Sequence, residues 1–410
     1  MKEKLKSNPI NLIVIVAALG YFVDIYDLII FGIVKDPSLI ALGITAKQDL
    51  FSVGNHILRM QMLGMLLGGV VWGILGDKKG RLSTLFATIL LYSLANIANG
   101  FVTSVEQYAV LRFIAGFGLA GELGVGITLV AEVMSASSRG KGTGIVSGIG
   151  ILGAALGFIV AEWLDWRSAY WFGGGMGLLL LFLRVIVHES AMYNKVKRQG
   201  IKTGDFLGLF KSKLSFQKYF LVILIGIPTW YAVSVLVINS PSFADTMINI
   251  DGQIKGSVAV MLHYFAASIG SVIFSYVSEK MKSRKKAISL ALVVMFILTC
   301  IYFVVFNASP FIFYTIIFLL GLPMGGLWTL FITMSSELFG TNIRATVTTS
   351  APNFVRGAVV IVTLMLDYSA QIVGLWWAGL CLGVAFYLLS YISNKKIEET
   401  YGKELDYLEN

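Results

Sequence analysis

Ionisable side chains inside long apolar stretches are the residues of this sequence whose types and spacing could do chemistry. The segment YFVDIYDLIIFGIV, residues 21–34, carries Asp24 and Asp27 near its middle. Arg112 and Arg356 lie within other apolar stretches. A charged side chain at the centre of a bilayer costs about 2.5–3.5 kcal/mol on insertion scales, and such residues mark ion, proton or substrate pathways.

Asp27 and Arg112 are predicted to lie at the same depth in a membrane. Each is several residues from the outer end of its apolar stretch, which places both about 10 Å below the surface at 1.5 Å rise per residue. Because an unpaired buried charge is strongly destabilising, we expect the two side chains to form an ion pair. An aspartate that gains and loses such a partner can take up and release a proton. We predict that Asp27 carries a proton and that Arg112 modulates it; a purely structural ion pair is the alternative.

A second group of polar residues is predicted to line a central substrate site. Asp24 lies one turn before Asp27 and about 60° away around the helix, so both carboxylates can face one cavity. The stretch 346–366 carries polar residues at helical spacing, among them Asn353 and Arg356. This stripe favours a cavity, with helix packing as the alternative. The predicted substrate-binding residues are Asp24, Glu122, Tyr231, His263, Trp328, Asn353 and Arg356.

The elements that must position these side chains are membrane-spanning helices. The chain has 410 residues, of which 57% are hydrophobic and 13% charged, and its mean hydropathy is +0.79. Soluble domains carry about 25% charged residues, so this chain has too few polar side chains to cover a water-exposed surface. Windows of about 20 apolar residues predict membrane-spanning helices. These windows lie at 10–34, 53–75, 82–101, 107–131, 143–163, 168–187, 219–239, 256–277, 287–306, 311–335, 346–366 and 371–392.

The basic residues predict the orientation of these helices. With the N-terminus inside, the inner segments hold 24 of the 32 Lys and Arg residues. Cytoplasmic loops are enriched in Lys and Arg. We therefore predict a multi-pass protein of the cell membrane with both termini in the cytoplasm. The net charge of +9 has the same explanation, so no nucleic-acid partner is expected.

The two halves of the chain repeat each other. AEVMSASSRG follows the fourth predicted span and SELFGTNIRA follows the tenth, and in each a glutamate precedes an arginine by seven residues. Two bundles related by a parallel repeat are typical of one group of secondary transporters. The predicted organisation is a six-helix bundle at 1–187, a cytoplasmic linker at 188–218, a second six-helix bundle at 219–393 and a cytoplasmic tail at 394–410.

GILGDKKGR, residues 73–81, resembles the motif G-x-L-A-D-x-x-G-R of the major facilitator superfamily. RFIAGFGLAGE, residues 112–122, resembles the fourth-helix signature of that family. The repeated segments and the Tyr26-Asp27 pair are most similar to the metabolite:proton symporter and sugar porter branches. The resemblance implies an all-α membrane protein with twelve transmembrane helices in two pseudo-symmetric bundles. It also implies that the aspartate of the Tyr-Asp pair carries the proton.

The resemblance further implies a gate on the cytoplasmic side. Asp77 and Arg81 of the motif would engage Glu132 and Arg139, and so hold this side closed until the bundles move. In the second half, Arg284 lies one position beyond the place of the motif arginine. A solvated turn is the alternative interpretation of the motif loop. The predicted gating residues are Asp77, Arg81, Glu132, Arg139, Glu337 and Arg344.

Together these features predict a secondary active transporter that moves a small polar metabolite by alternating access and proton symport. Acids and arginines near the predicted centre favour an organic acid or a zwitterion as the substrate. The alternatives are an exporter, a uniporter, a cation or metal transporter of the same fold, or a membrane sensor that does not transport. The sequence has no recognisable nucleophile–base pair or metal-ligand cluster. We therefore predict that the protein is not an enzyme and holds no cofactor or metal. We also predict that it is a monomer.

Overall fold

The computed structural model describes residues 12–135, 139–184, 203–247, 254–305 and 309–409. Over these ranges the regular elements are helices, and no strand is present. The first half contains α1 Leu12–Ala41, α2 Lys47–Lys79, α3 Arg81–Asn99, α4 Val105–Leu119, α5 Glu122–Val133, α6 Arg139–Ile151, α7 Gly153–Trp163 and α8 Trp166–Arg184. The second half contains α9 Gly208–Lys211, α10 Lys213–Tyr231, α11 Ser240–Met247, α12 Gly256–Met281, α13 Arg284–Val304, α14 Pro310–Leu338, α15 Arg344–Val373 and α16 Leu375–Lys396.

Long apolar helices dominate the fold. Eleven stretches of the described residues are long and apolar enough to cross a membrane. The 19-residue helix α8 lies at the sixth predicted span. The predicted all-α membrane fold is therefore confirmed, and helix ends extend past the apolar windows by several residues. For example, α15 continues to Val373, because hydropathy detects the apolar part of a helix and not its polar end.

The linker predicted at 188–218 ends earlier than expected on its C-terminal side, at residue 212. Helix α10 begins at Lys213, because Ser212 accepts a hydrogen bond from the backbone N–H of Ser215 and so caps the helix. The linker before residue 203 and the N-terminal segment before residue 12 lie outside the described residues.

Successive long helices run in opposite directions, so the molecule has two ends. We call the end at which α16 finishes at Lys396 the tail end, and the opposite end the far end. The α2–α3, α5–α6, α12–α13 and α14–α15 connections lie at the tail end. The N-terminal half packs against the C-terminal half mainly through α2 on α15 and through α6 on α12.

Glycines allow the two halves to approach closely. A Cβ atom at Gly69 of α2 would overlap the side chain of Asn353 in α15. A Cβ at Gly124 of α5 would overlap the backbone of Thr349 in α15. Small residues at such crossings let helix backbones pack closely where lipid provides no hydrophobic driving force.

Three of the long helical stretches are interrupted: the fifth span divides into α6 and α7 at Leu152, and two further interruptions lie near polar residues. The fourth span divides into α4, which ends at Leu119, and α5, which begins at Glu122. Helix α10 contains Pro228 and continues as a π-helical turn at Ala232–Val237. Interruptions of this kind leave backbone groups available near functional sites. The interruptions of the fourth span and of α10 lie close to the polar residues described next.

Candidate functional site

Asp27 is buried inside the N-terminal half, next to α3, α4 and α8. Arg112 donates from Nη2 to the backbone carbonyl of Asp27 at 2.9 Å and from Nη1 to Oδ1 of Asn96 at 3.0 Å. Among the described residues, neither carboxylate oxygen of Asp27 makes a close hydrogen bond. The expected ion pair is therefore not formed in this conformation. Arg112 lies next to Asp27 as predicted, but it donates to the backbone carbonyl of Asp27 and to the side-chain amide of Asn96.

The carboxylate of Asp27 packs against α8. A Cβ atom at Gly173 would overlap Oδ1 of Asp27 and the ring of Tyr26, so only glycine leaves room at this position. The Tyr26 hydroxyl donates to the carbonyl of Ala169 at 2.8 Å and fixes α1 against α8. Asp27 consequently faces the interior of its own bundle and is not one of the side chains that line the central cavity.

A small central cavity of about 20 Å³ lies between the two halves. The N-terminal half contributes Tyr21, Ile25 and Ile151. The C-terminal half contributes Thr229, Trp230, Val233, Tyr264, Met324, Trp328 and Arg356. Its walls are thus largely aromatic and aliphatic, with one arginine.

Arg356 is the cationic group of this cavity. The side chain is fully buried, and Nη1 donates to Oδ1 of Asn353 at 3.2 Å. Its guanidinium carbon lies 5.3 Å from the ring centroid of Trp328 and 6.0 Å from that of Trp230. Within the described part of the chain, Nε and Nη2 of Arg356 make no close hydrogen bond, and the Tyr21 hydroxyl interacts with the guanidinium at longer range. These two donors form the fork that binds a carboxylate in a bidentate manner.

Two hydrogen bonds connect the halves beside the cavity. The Asn353 amide donates to the carbonyl of Ala120, at the break between α4 and α5, at 2.8 Å. Nε1 of Trp328 donates to the hydroxyl of Tyr21 at 2.9 Å. Asn353 therefore orients Arg356 and at the same time joins α15 to the N-terminal half.

The remaining predicted substrate residues divide into two groups. Asp24 is buried and lies within electrostatic range of Tyr21, and Glu122 is buried at the start of α5. Tyr231 and His263 lie outside the central cavity. The Tyr231 hydroxyl donates to the carbonyl of Gly379 in α16 at 2.7 Å, and Nδ1 of His263 lies 3.1 Å from the carbonyl oxygen of Ile317 in α14. Both side chains face neighbouring helices of their own half.

Some cavity residues were not predicted from the sequence. Tyr21 and Tyr264 line the cavity although neither was named as a candidate. Tyr21 precedes Asp24 by three residues and so shares its helix face, which is a signal that helical spacing could have provided. Over the described ranges, no three His, Cys, Asp or Glu side chains group as metal ligands.

A buried network of ion pairs closes the tail end. Glu132 of the first half pairs with Arg81 at 3.0 Å and with Arg344 of the second half at 3.2 Å. Glu337 of the second half pairs with Arg284 at 3.2 Å and with Arg139 of the first half at 3.5 Å. Each glutamate thus binds one arginine of its own half and one of the opposite half. We call these six residues the tail-end network.

The geometry refines the expectation for the motif loop. Arg81 engages Glu132 as expected, whereas Arg139 pairs across the halves with Glu337. Asp77 accepts hydrogen bonds from the backbone N–H of Ala345 at 3.2 Å and of Thr346 at 2.8 Å. Asp77 therefore caps the N-terminus of α15, where the helix dipole and unsatisfied N–H groups favour a carboxylate.

The C-terminal segment 397–409, which we call the strap, covers this network. The carbonyl of Lys403 accepts from Arg139 at 3.3 Å, and that of Leu405 accepts from Arg344 at 2.6 Å. The Thr400 hydroxyl donates to Glu337 at 2.8 Å. The sequence indicated only a cytoplasmic tail, and nothing in its composition indicated these contacts.

Glu399 anchors the strap to the start of α13. Its carboxylate accepts from the hydroxyl of Ser283 and from the backbone N–H of Arg284 and Lys285. Partial burial alone would raise the pKa of Glu399. The hydrogen bonds from Ser283 and the backbone outweigh burial and hold the pKa of Glu399 below its ordinary value.

Among the described residues, one ion pair joins the two halves at the far end. Arg59 of α2 and Asp367 of α15 are 2.5 Å apart, and Nε of Arg59 donates to Thr363 at 3.5 Å. The pair borders a cleft of about 560 Å³ that is lined largely by polar residues. Both ends are therefore bridged by charged side chains, and the conformation is occluded.

Two helical bundles that pack around a largely apolar cavity with one buried arginine, and that are bridged at both ends by ion pairs, are typical of a membrane transporter. A family model described as Major Facilitator Superfamily matches residues 17–363, and the chain belongs to this family.

Relatives and solved structures agree with this assignment. The probable 4-methylmuconolactone transporter of Cupriavidus pinatubonensis is 27% identical over 344 residues, which cover 80% of this chain and 76% of the relative. The sialic acid transporter NanX of Escherichia coli is 28% identical over 69% of this chain and 68% of its own. The proton:xylose symporter XylE of E. coli shares the fold, with a TM-score of 0.75, 17% identity and coverage of 96% of this chain and 97% of XylE. The chain is a transporter of small metabolites and not an enzyme, as predicted.

Proposed function

We propose that this protein moves a small carboxylic acid across the cell membrane by alternating access, coupled to the symport of protons. The observation that carries the proposal is the buried guanidinium of Arg356 in the central cavity, whose Nε and Nη2 make no close hydrogen bond within the described residues and interact only at longer range with the Tyr21 hydroxyl. A buried cation whose donors lack close partners is destabilised until an anion binds it. A bound carboxylate supplies both the charge and the two acceptors.

The walls of the cavity support a compact, partly apolar acid. Trp230 and Trp328 flank Arg356, and Tyr21 and Tyr264 add further aromatic surface. At about 20 Å³ the cavity has room for about one water molecule in this conformation, so a substrate is accommodated only once the two halves separate. The transporters of 4-methylmuconolactone and of sialic acid are relatives, and both of those compounds carry a carboxyl group. Asp24 and Glu122 are proposed to contribute to the same site, where they would contact polar or cationic parts of a substrate.

Asp27 is proposed to carry the proton and Arg112 to modulate it. Helix α1 holds Asp27 on the face turned into the bundle, whereas Tyr21 and Ile25 of the same helix line the cavity. Protonation changes the charge beside Arg112, and any resulting shift of α1 moves the cavity wall. This shared helix is the proposed link between the proton and the substrate.

The tail-end network is proposed as the cytoplasmic gate, with both termini in the cytoplasm. Two ion pairs between the halves and the cap from Asp77 must be broken before the bundles can separate at this end. The proposed gating residues are those predicted from the sequence together with Arg284. Because one chain contains the cavity and both gates, the monomer is proposed as the transporting unit.

The test begins with binding of matched acid and amide pairs to the purified protein. Benzoate and nicotinate should raise the thermal unfolding temperature, while benzamide and nicotinamide should not, because only the acids supply a charged partner for Arg356. Stabilisation by the amides alone, or by divalent cations alone, would contradict a carboxylate transporter.

Coupling is then tested with the stabilising acid in proteoliposomes. An inward proton gradient should drive its accumulation, and Asp27→Asn should abolish accumulation while exchange of internal for external substrate persists. Accumulation by Asp27→Asn at the wild-type rate would exclude Asp27 as the proton carrier. Gradient-independent uptake by the wild-type protein would indicate a uniporter.

A further inference from the structure

A chain of buried hydroxyl groups extends from the far end of the N-terminal half towards Asp27. The Tyr170 and Tyr108 hydroxyls are 2.6 Å apart, and Tyr108 donates to the hydroxyl of Ser38 at 3.4 Å. Ser38 in turn donates to the carbonyl of Lys35 at 2.8 Å. The side chains of Ser38, Tyr108 and Tyr170 are fully buried, whereas Lys35 is partly exposed near the end of α1.

The inner end of this chain meets a group of polar atoms that lack close hydrogen-bond partners. The guanidinium of Arg112 lies 5.5 Å from the ring centroid of Tyr170. Among the described residues, Oγ of Ser93 has no hydrogen-bond partner, and the carboxylate of Asp27 makes no close hydrogen bond and interacts with the side chains of Asn96 and Arg112 at longer range. Buried polar atoms of this kind are normally satisfied by internal water, and water can connect them to one another.

We propose that Ser38, Tyr108 and Tyr170 form a path by which protons reach Asp27 from the far end, separate from the central cavity. The inference rests on the proposed role of Asp27 as the proton carrier. The central cavity is lined by Tyr21 and Ile25 of α1 and not by Asp27. A path inside the bundle lets a proton enter whether or not substrate occupies the cavity.

The hydroxyl groups suit this role because each can donate one proton and accept another. The hydroxyl protons of Ser38 and Tyr108 point outwards in this conformation. When the far end opens and admits water, a proton binds at Ser38, the hydroxyls turn, and the protons of Ser38, Tyr108 and Tyr170 are passed inwards in turn. Water around Asn96 delivers the last proton to the carboxylate of Asp27. Every hydroxyl regains a proton, so the net change is one proton moved from bulk water to Asp27.

The charged and titratable groups that face Asp27 are few. Arg112 faces it from α4, Tyr170 from α8, and Tyr26 is its neighbour in α1. Helix α3 contributes the neutral side chain of Asn96. With Arg112 held by Asn96 and the backbone, the hydroxyls are the groups in this region able to exchange protons in both directions.

The test follows the protonation of Asp27 itself, so it needs no knowledge of the substrate. The purified full-length protein in lipid nanodiscs is mixed rapidly from alkaline to acidic buffer, and the infrared band of the new carboxylic acid is recorded. The band is assigned by its loss in Asp27→Asn. Tyr108→Phe and Tyr170→Phe should slow its rise by about 10²-fold or more without changing its final amplitude, because positioned proton donors contribute factors of that size.

Two controls separate a proton path from a structural role. Tyr302→Phe removes a buried tyrosine hydroxyl of the second half, bonded to the carbonyl of Leu236, and should leave the rise unchanged. Ser38→Ala should slow the rise, and Ser38→Thr should restore it. An unchanged rise in Tyr108→Phe and Tyr170→Phe would overturn the path while leaving Asp27 as the carrier. Absence of any band that depends on Asp27 would overturn both the path and the proposed proton coupling.

Discussion

Buried arginines of this protein differ in how many of their donors are satisfied. Arg112 binds a backbone carbonyl and an amide, and so serves to hold α4 against α1 and α3. Arg356 has two donors without close partners in the described residues and lies in the central cavity. Arg112 therefore suits a positioning role within its bundle, whereas Arg356 suits a binding role between the two bundles.

Arg356 provides the sharpest test of the substrate class. Arg356→Gln should weaken binding of the stabilising carboxylic acid by about 10- to 100-fold, because a hydrogen bond to a charged group contributes about 1.5–3 kcal/mol. Isothermal titration with the acid measures the change. Arg356→Lys keeps the charge but not the fork and should restore binding only in part. Wild-type affinity in Arg356→Gln would contradict the proposed site.

Gly173 tests the environment of Asp27. Gly173→Ala places a methyl group against Oδ1 of Asp27 and the Tyr26 ring, and overpacking of this kind destabilises by about 1–3 kcal/mol. We expect a lower unfolding temperature and slower gradient-driven uptake. Gly175→Ala is the matched control on the same helix, since its added Cβ meets no atom within 4 Å. Equal behaviour of the two variants would show that Asp27 is not packed against α8.

Sequence spacing predicted which residues lie close together, but it predicted less well which of their atoms form hydrogen bonds. Matched depth placed Arg112 beside Asp27, but a guanidinium has five donors, and spacing does not say that Asn96 and a main-chain carbonyl take them. Likewise, depth alone could not separate Arg356, which faces the cavity, from Tyr231, which faces α16. Rotation of each helix about its axis decides these cases, and it depends on packing with the whole bundle.

At the scale of elements, the long helices were predictable and the strap was not. Apolar length and basic loops are local properties, so the spans followed from composition and charge. The strap is a polar segment whose order comes from contacts with residues far away in the sequence, such as Arg139 and Arg344. Those partners are the repeated arginines of the two halves, so the strap connects both halves at one end.

Glu399 tests how the strap is held. Glu399→Gln removes the charged acceptor for Ser283 and two backbone N–H groups. We expect faster hydrogen exchange of the backbone amides that the strap protects, notably Thr341, which donates to Tyr407. Glu404→Gln is the control, because Glu404 is exposed. Equal exchange rates in both variants would show that Glu399 does not anchor the strap.

The same contact predicts a pH dependence. Because the pKa of Glu399 is lowered in the folded state, its contribution is fully present above the ordinary glutamate pKa of about 4.3. The contribution is lost as the pH falls through the lowered value. Hydrogen exchange at Thr341, corrected for intrinsic rates, should therefore accelerate below about pH 4 in the wild-type protein and change less in Glu399→Gln. A parallel pH response in both proteins would contradict this assignment.

At the scale of the whole molecule, the two ends are closed by very different numbers of interactions. The far end has the ion pair between Arg59 and Asp367, both partly exposed. The tail end has two buried cross-half ion pairs and the buried Asp77 cap on α15, and the strap adds hydrogen bonds to the buried Arg139 and Arg344. Exposed ion pairs contribute about 0–1 kcal/mol, whereas loss of one partner from a buried pair costs about 3–5 kcal/mol. The occluded molecule should therefore open more readily at the far end.

This asymmetry can be measured with single cysteines in a background where Cys300 and Cys381 are serine. A cysteine at position 55 in the far-end cleft should react with a maleimide faster than one at position 345, which is buried beside Asp77. Asp367→Asn should accelerate labelling at position 55 and slow it at position 345, since the two openings are alternatives. Glu337→Gln should have the opposite effect, because it leaves Arg139 and Arg284 without their shared partner. Acceleration at both positions by either substitution would mean that the ends open independently, and would exclude alternating access as the motion of this protein.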